Sequence, residues 1–250
     1  MTVARRWRRR WRWALPLALA LALAGAFLWA SAALAPLPEA TAALLSDDQV
    51  QVDSGQWLVF RPGGGEAPTA GFVFYPGGRV DPRAYAPPLR ALAAQGYLVV
   101  AVPMPFNLAV LAPDKAGEVI AAYPAVRRWA IGGHSLGGSM AARYAHSHPG
   151  AIAGLVLWAA YPDAADDLSR TTLPVVSIYG TQDGLATTAK ITASQPLLPP
   201  GTRFVGVVGG NHAQFGTYGP QSGDNAAGLT RAAQQARVVA ATLELLIGLK

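Results

Sequence analysis

From residue 56 onward the chain alternates two kinds of hydrophobic pattern. Short runs that are apolar at nearly every position lie at 57–60, 71–75, 97–103, 128–133, 152–159, 174–179 and 203–208. Runs of this length without polar alternation predict strands covered on both faces. Between them lie segments whose apolar residues recur every three or four positions, which predicts helices over 85–95, 114–122, 136–146, 187–197 and 229–249. Gly96 stops the first helix, and Pro62-Gly63-Gly64-Gly65 turns the first strand toward the second. This alternation predicts an α/β architecture, a doubly wound and mostly parallel sheet with helices on both faces. In such sheets a ligand lies beyond the carboxyl ends of the strands. Chemistry is therefore expected in the loops after Tyr75, Gly133, Tyr179 and Val208.

The front of the chain follows another pattern. Residues 14–35 are nearly all Ala and Leu and carry no charge. As a helix this stretch spans about 33 Å, close to the thickness of a bilayer core. Six arginines precede it, and Trp7, Trp11, Trp13 and Trp29 sit near its ends. Cations stay on the cytoplasmic side and Trp favours the interface. The pattern predicts a basic cytoplasmic arm over 1–12 and a signal anchor or signal peptide over 13–35, which is the contact with the membrane. A tether over 36–55 and a folded body over 56–250, facing outside the cytoplasm, follow. Ala30-Ser31-Ala32 is a small-x-small site, and cleavage there makes the body a secreted protein instead.

Composition changes this picture in three ways. With 250 residues, 52% of them hydrophobic and only 14% charged, the chain is not disordered. After the front segment, what remains suffices for one α/β domain and not for two. The absence of cysteine removes disulfide scaffolds, thiolate metal sites and cysteine nucleophiles. The net charge of +6 comes from Arg5, Arg6, Arg8, Arg9, Arg10 and Arg12, without which basic and acidic residues balance at 14 each. A neutral body with all its excess charge in one short arm does not point to nucleic acid as a partner.

The chemistry centres on Gly133-His134-Ser135-Leu136-Gly137, a G-x-S-x-G sequence between a predicted strand and a predicted helix. Glycines at both ends remove side chains where strand and helix must approach. Ser135 then projects near the positive helix N-terminus, and the Leu136 N–H can face an oxyanion at the same point. His134 is expected to pack or hydrogen-bond beneath the turn. Among the four histidines, His212 follows the last strand and stands in the right chain order to be the base. His146 and His148 close a helix at a spacing that does not converge. The orienting acid is Asp183, after the strand 174–179, with Asp163 as its rival and Asp224 fitting poorly. The order Ser135, Asp183, His212 is that of strand–elbow–helix hydrolases. A second oxyanion donor is expected in Phe74-Tyr75-Pro76-Gly77-Gly78, from the Gly78 N–H or else that of Arg79. The loop 209–228, with Phe215 and Tyr218, is expected to close over a ligand. Met104, Pro105, Phe106 and Leu108 are candidates for an apolar acyl pocket.

Together these residues resemble the α/β-hydrolase family over roughly 56–249. The elbow Gly133-His134-Ser135-Leu136-Gly137-Gly138 looks lipase- or esterase-like. The segments 74–80 (FYPGGRV) and 211–219 (NHAQFGTYG) are similar to a bacterial branch of small single-domain members. Pro76-Gly77 replaces the usual His-Gly of the oxyanion loop. The resemblance implies acyl transfer to water from an ester, thioester or amide, through a Ser135–His212–Asp183 triad and an acyl-enzyme. It implies a small-molecule acyl substrate, no metal or organic cofactor, and no large lid domain. The alternatives are an acyltransferase with the same triad and a non-catalytic binding protein on a hydrolase fold.

Overall fold

The computed structural model describes residues 13–22, 25, 33–65 and 68–249. The chain divides into two compact units, Met1–Ala33 and Leu34–Lys250. In the first unit residues 13–22 are helical and exposed. The basic arm 1–12 lies outside the described residues, as do residues 23, 24 and 26–32 of the apolar run. Among the described residues no helix is long and apolar enough to cross a membrane.

The second unit is built on one eight-stranded sheet. Its strands are β1 (Val50–Ser54), β2 (Leu58–Pro62), β3 (Ala70–Tyr75), β4 (Leu98–Ala101), β5 (Arg128–His134), β6 (Gly154–Trp158), β7 (Val175–Gly180) and β8 (Arg203–Val207). They stand in the order β1-β2-β4-β3-β5-β6-β7-β8. β1 and β2 form an antiparallel hairpin whose second strand joins β4, also antiparallel, and every other pairing is parallel. The helices are α1 (Pro38–Ala42), α2 (Ala86–Ala93), α3 (Lys115–Ala122), α4 (Leu136–Ser147), α5 (Thr188–Ser194) and α6 (Arg231–Ile247).

The two-faced burial read from the apolar runs follows directly from side-chain alternation along each strand. Phe72 and Phe74 of β3 join Trp158 and Ile178 on one face, packed against Leu89 and Leu92 of α2, Ile191 of α5 and Val238 and Leu246 of α6. Val73 and Tyr75 join Val100, Ile131 and Leu157 on the other face, against Val119 of α3 and Met140 and Ala141 of α4. In α6 the buried positions 234, 238, 241, 242 and 246 form one stripe, and Thr230 caps the helix by accepting from the Ala233 N–H. Trp158, fully buried, donates its Nε1–H to Thr242 Oγ1 at 3.0 Å.

The stretch 36–55, expected to be a tether, is folded instead. It carries α1 and β1, and Ala40 and Val50 are buried in it. Upstream of it, Leu34 bridges to Val80, and its N–H donates to the Arg79 carbonyl. The hairpin edge strand escaped the reading because its burial alternates and is mostly exposed, so it offers no continuous apolar run.

Candidate active site

The register brings the carboxyl ends of the parallel strands to one edge, with Tyr75 of β3 beside Gly133 of β5 and His134 beside Trp158 of β6. Between β5 and α4, Ser135 takes φ +52° and ψ −124°, a left-handed conformation that costs a non-glycine residue about 1–3 kcal/mol. Its N–H donates to the Trp158 carbonyl at 2.9 Å, and its own carbonyl accepts from the Ser139 N–H. The flanking glycines are sterically required. A Cβ at Gly133 would fall 2.6 Å from the Tyr75 carbonyl oxygen, and one at Gly137 2.2 Å from the same atom. Gly138 meets Ala160 in the same way. The expected elbow is thus present, with α4 beginning at Leu136.

Asp183 and His212, 29 residues apart, meet below the surface. His212 Nδ1 lies 2.7 Å from Asp183 Oδ2, with both side chains essentially inaccessible. Asp183 Oδ1 accepts from the Leu185 and Ala186 N–H groups at 2.8 and 2.7 Å. The carboxylate is thereby fixed at both oxygens, and His212 presents its Nδ1–H to it. His212 Nε2 is buried without a hydrogen-bond partner, and no hydrogen bond among the described residues joins it to Ser135 Oγ. Such bonds often tighten only when substrate arrives. The rival acid Asp163 is exposed and accepts from the Ala165 N–H. His146 and His148 face the Asp167 and Tyr144 carbonyls.

His134 ties two parts of the site together. Its ring lies 4.4 Å from that of His212 and 5.4 Å from that of Phe215. Its Nδ1 is 2.8 Å from Tyr85 Oη, which also accepts from the Gly77 N–H at 3.1 Å. The Tyr85 hydroxyl, with one donor and two acceptor sites, bonds both groups at once, while His134 Nε2 is buried without a hydrogen-bond partner. Burial, reinforced by the neighbouring His212, holds the His134 pKa well below its ordinary value, so this ring stays uncharged.

On the oxyanion side, a Cβ at Gly78 would fall 3.1 Å from Leu136 Cδ2 and 3.9 Å from Leu108 Cδ2, so the two expected donors adjoin. The alternative donor is occupied: the Arg79 N–H donates to the Asn107 carbonyl at 2.7 Å. The Gly78 and Leu136 N–H groups donate no hydrogen bond among the described residues. One expectation is corrected here. Phe215 and Tyr218, read as a ligand cover, are buried in the core, and their loop is pinned by bonds from Thr217 to Ala84 and from Leu37 to Thr217. Of the proposed acyl-pocket residues, Met104 is buried while Pro105 and Phe106 are exposed beside Leu108.

Two residues that sequence reasoning set aside or missed hold the His212 segment in place. Gln234 of α6 brackets Asn211, accepting from its N–H at 3.1 Å and donating to its carbonyl at 2.7 Å. Asp224 accepts from the His212 and Ala213 N–H groups at 3.1 and 2.9 Å. The only sequence signal was a polar residue, Gln234, on the apolar stripe of a helix.

Comparison with known proteins agrees with this architecture. The model of the alpha/beta hydrolase family matches residues 71–236, a span that holds Ser135, Asp183 and His212. No curated protein matches the chain. Among solved structures, the esterase domain of a Rhodothermus marinus protein superposes with a TM-score of 0.57 at 14% identity, covering 76% of this chain and 91% of that one. A thermostable esterase of Pseudomonas putida gives 0.56 at 18% identity, covering 85% and 88%. A Butyrivibrio proteoclasticus protein with ferulic acid bound gives 0.58 at 12% identity, covering 81% and 98%. At these identities the likeness is one of fold. The family model, however, matches more than half of the sequence, from within β3 into α6, and on that ground the chain belongs to the alpha/beta hydrolase family.

Proposed function

We propose that the protein is a serine hydrolase that cleaves carboxylic esters through Ser135, His212 and Asp183. The observation that carries this reading is the buried 2.7 Å bond from His212 to Asp183, which leaves His212 Nε2 without a partner in a site headed by an elbow serine. His212 Nε2 takes the Ser135 proton as Oγ attacks the acyl carbon. Asp183 keeps the base in the required tautomer and stabilises the imidazolium. The oxyanion accepts from the Leu136 and Gly78 N–H groups, both of which are free for it. The alcohol leaves with the proton from His212, and water repeats the sequence on the acyl-enzyme. The exposed Phe106, Val110 and Leu111 beside the oxyanion loop favour an apolar acyl or alcohol group.

The test is fluorophosphonate labelling and p-nitrophenyl ester hydrolysis by the full-length chain. Wild type is expected to label at Ser135, Ser135→Ala and His212→Ala not to label, and Asp183→Asn to lose about 10⁴-fold in kcat. A wild-type protein that neither labels nor hydrolyses any ester of the series overturns the reading. The charge-free run 14–35 behind six arginines supports a further part of the proposal, a membrane anchor with the body outside the cytoplasm. Membrane fractionation with external protease checks it, and a chain found wholly in the soluble cytoplasmic fraction sinks it.

A further inference from the structure

Asp224 does not sit in the acid position, yet its carboxylate is the most heavily engaged among those at the site. Oδ1 accepts from the Gly184 N–H at 3.1 Å, the His212 N–H at 3.1 Å and the Asn225 N–H at 2.9 Å, and Oδ2 accepts from the Ala213 N–H at 2.9 Å. An ionised carboxylate offers about four acceptor sites and no donor, so four converging N–H groups match its full capacity. Three of those groups belong to the two loops that meet in the acid–base pair. Gly184 directly follows Asp183, and His212 and Ala213 are the base and its neighbour. The loops approach closely enough that a Cβ at Gly184 would fall 2.4 Å from the Gly223 carbonyl oxygen and 3.0 Å from Asp224 Cα. The same segment is held from its other end, where Asn211 Nδ2 donates to the Asn225 carbonyl at 2.7 Å.

We propose that Asp224 is a positioning residue: its carboxylate latches the Asp183 loop to the His212 loop and so sets the separation across which His212 Nδ1 meets Asp183 Oδ2. This inference rests on the serine-hydrolase reading for its kinetic consequence but not for its structural one. Hydrogen bonds from neutral amides to a charged acceptor are about twice as strong as neutral ones, so the latch outweighs ordinary loop contacts. Displacing a catalytic group by about 1 Å costs on the order of 10²-fold in rate. Asp224→Asn keeps one oxygen, which can take two of the amides now on Oδ1, and turns a donor toward Ala213. Asp224→Ala keeps nothing.

The experiment compares the full-length wild type with Asp224→Ala and Asp224→Asn by ester kinetics and by the downfield proton resonance of the His212 Nδ1–H. The Ala variant is expected to lose about 10²-fold in kcat with KM within about 3-fold, while its far-UV spectrum is kept and the downfield resonance broadens or disappears. The Asn variant is expected to recover at least tenfold of that loss. An Ala variant with kcat within about 3-fold of wild type and an unchanged resonance overturns the latch. An Ala variant that loses activity with the resonance intact overturns it too, because the dyad then survives without Asp224. If wild type shows no esterase activity, the catalytic reading fails by itself. The resonance then decides the latch alone, its loss in the Ala variant supporting it and its persistence refuting it.

Discussion

The two halves of the site are held by different means. On the oxyanion side the backbone itself is strained. Arg79, Phe106, Asn107 and Ser135 all have φ between +50° and +58°, and a fifth such residue, Ala159, follows β6. Every non-glycine residue with positive φ among the described residues thus lies just past the carboxyl end of one of the four central strands. On the acid–base side the left-handed positions, 209 and 223, are glycines, and the geometry is set by side chains that bracket backbone, Gln234 around Asn211 and Asp224 around His212 and Ala213. The difference follows from what each half must present. An oxyanion hole presents N–H groups, which only an unusual backbone path can aim into the site. A proton relay presents side-chain atoms, which are aimed by fixing the chain on either side of them.

That contrast breaks most visibly at Tyr85, a buried side chain that ties Gly77 to His134. Tyr85→Phe removes the hydroxyl that accepts from the Gly77 N–H and bonds His134 Nδ1, and both partners are then buried without substitutes. Each orphaned group costs about 1–3 kcal/mol. With a melting shift of roughly 2–4 °C per kcal/mol for a chain of this size, Tm is expected to fall by about 5 °C or more. The loss of kcat is expected to exceed any change in KM, since Gly77 precedes Gly78, the proposed oxyanion donor. An unchanged Tm would show that backbone strain alone shapes this half.

The same division explains what was legible in the sequence. Strands buried on both faces leave continuous apolar runs, so β3 to β7 were readable, while β1, a half-exposed edge with the sequence VQVDS, was not. The elbow was readable because glycines at 133 and 137 are demanded by contacts under 3 Å. Asp183 and His212 were singled out by residue type and chain order, and the fold brings them to 2.7 Å of each other. Asp224 was set aside because a carboxylate that acts through backbone amides has no partner residue type to reveal it. The bond that occupies the Arg79 N–H goes to the Asn107 carbonyl, which is 28 residues distant from Arg79 and visible only once the chain has folded. Phe215 and Tyr218 were misplaced for the converse reason, since a glycine-rich aromatic loop reads as mobile until its core contacts are seen.

The smallest effect concerns the ring that joins the halves. His134 is fully buried, and its pKa is depressed, first by that burial and then by the neighbouring His212. Two imidazole rings 4.4 Å apart do not readily carry two charges, which favours a neutral His134. The unfolded chain protonates this histidine near its ordinary value of 6.5, while the folded chain does not until a much lower pH. Below pH 6.5 the unfolded state therefore binds one more proton here, and stability falls as pH falls, by at most about 1.4 kcal/mol per pH unit. The contribution is fully present above pH 6.5 and is lost progressively toward the folded-state pKa. His134→Gln can still hydrogen-bond Tyr85 but binds no proton. Urea unfolding of both proteins between pH 7.5 and 4.5 is expected to show a shallower acid loss in the variant, the difference growing from zero at the neutral end. His146, His148 and His212 are common to both proteins, so the difference isolates one ring. Parallel curves would mean that His134 is charged in the folded protein, and the two halves would then meet across a shared proton rather than a neutral spacer.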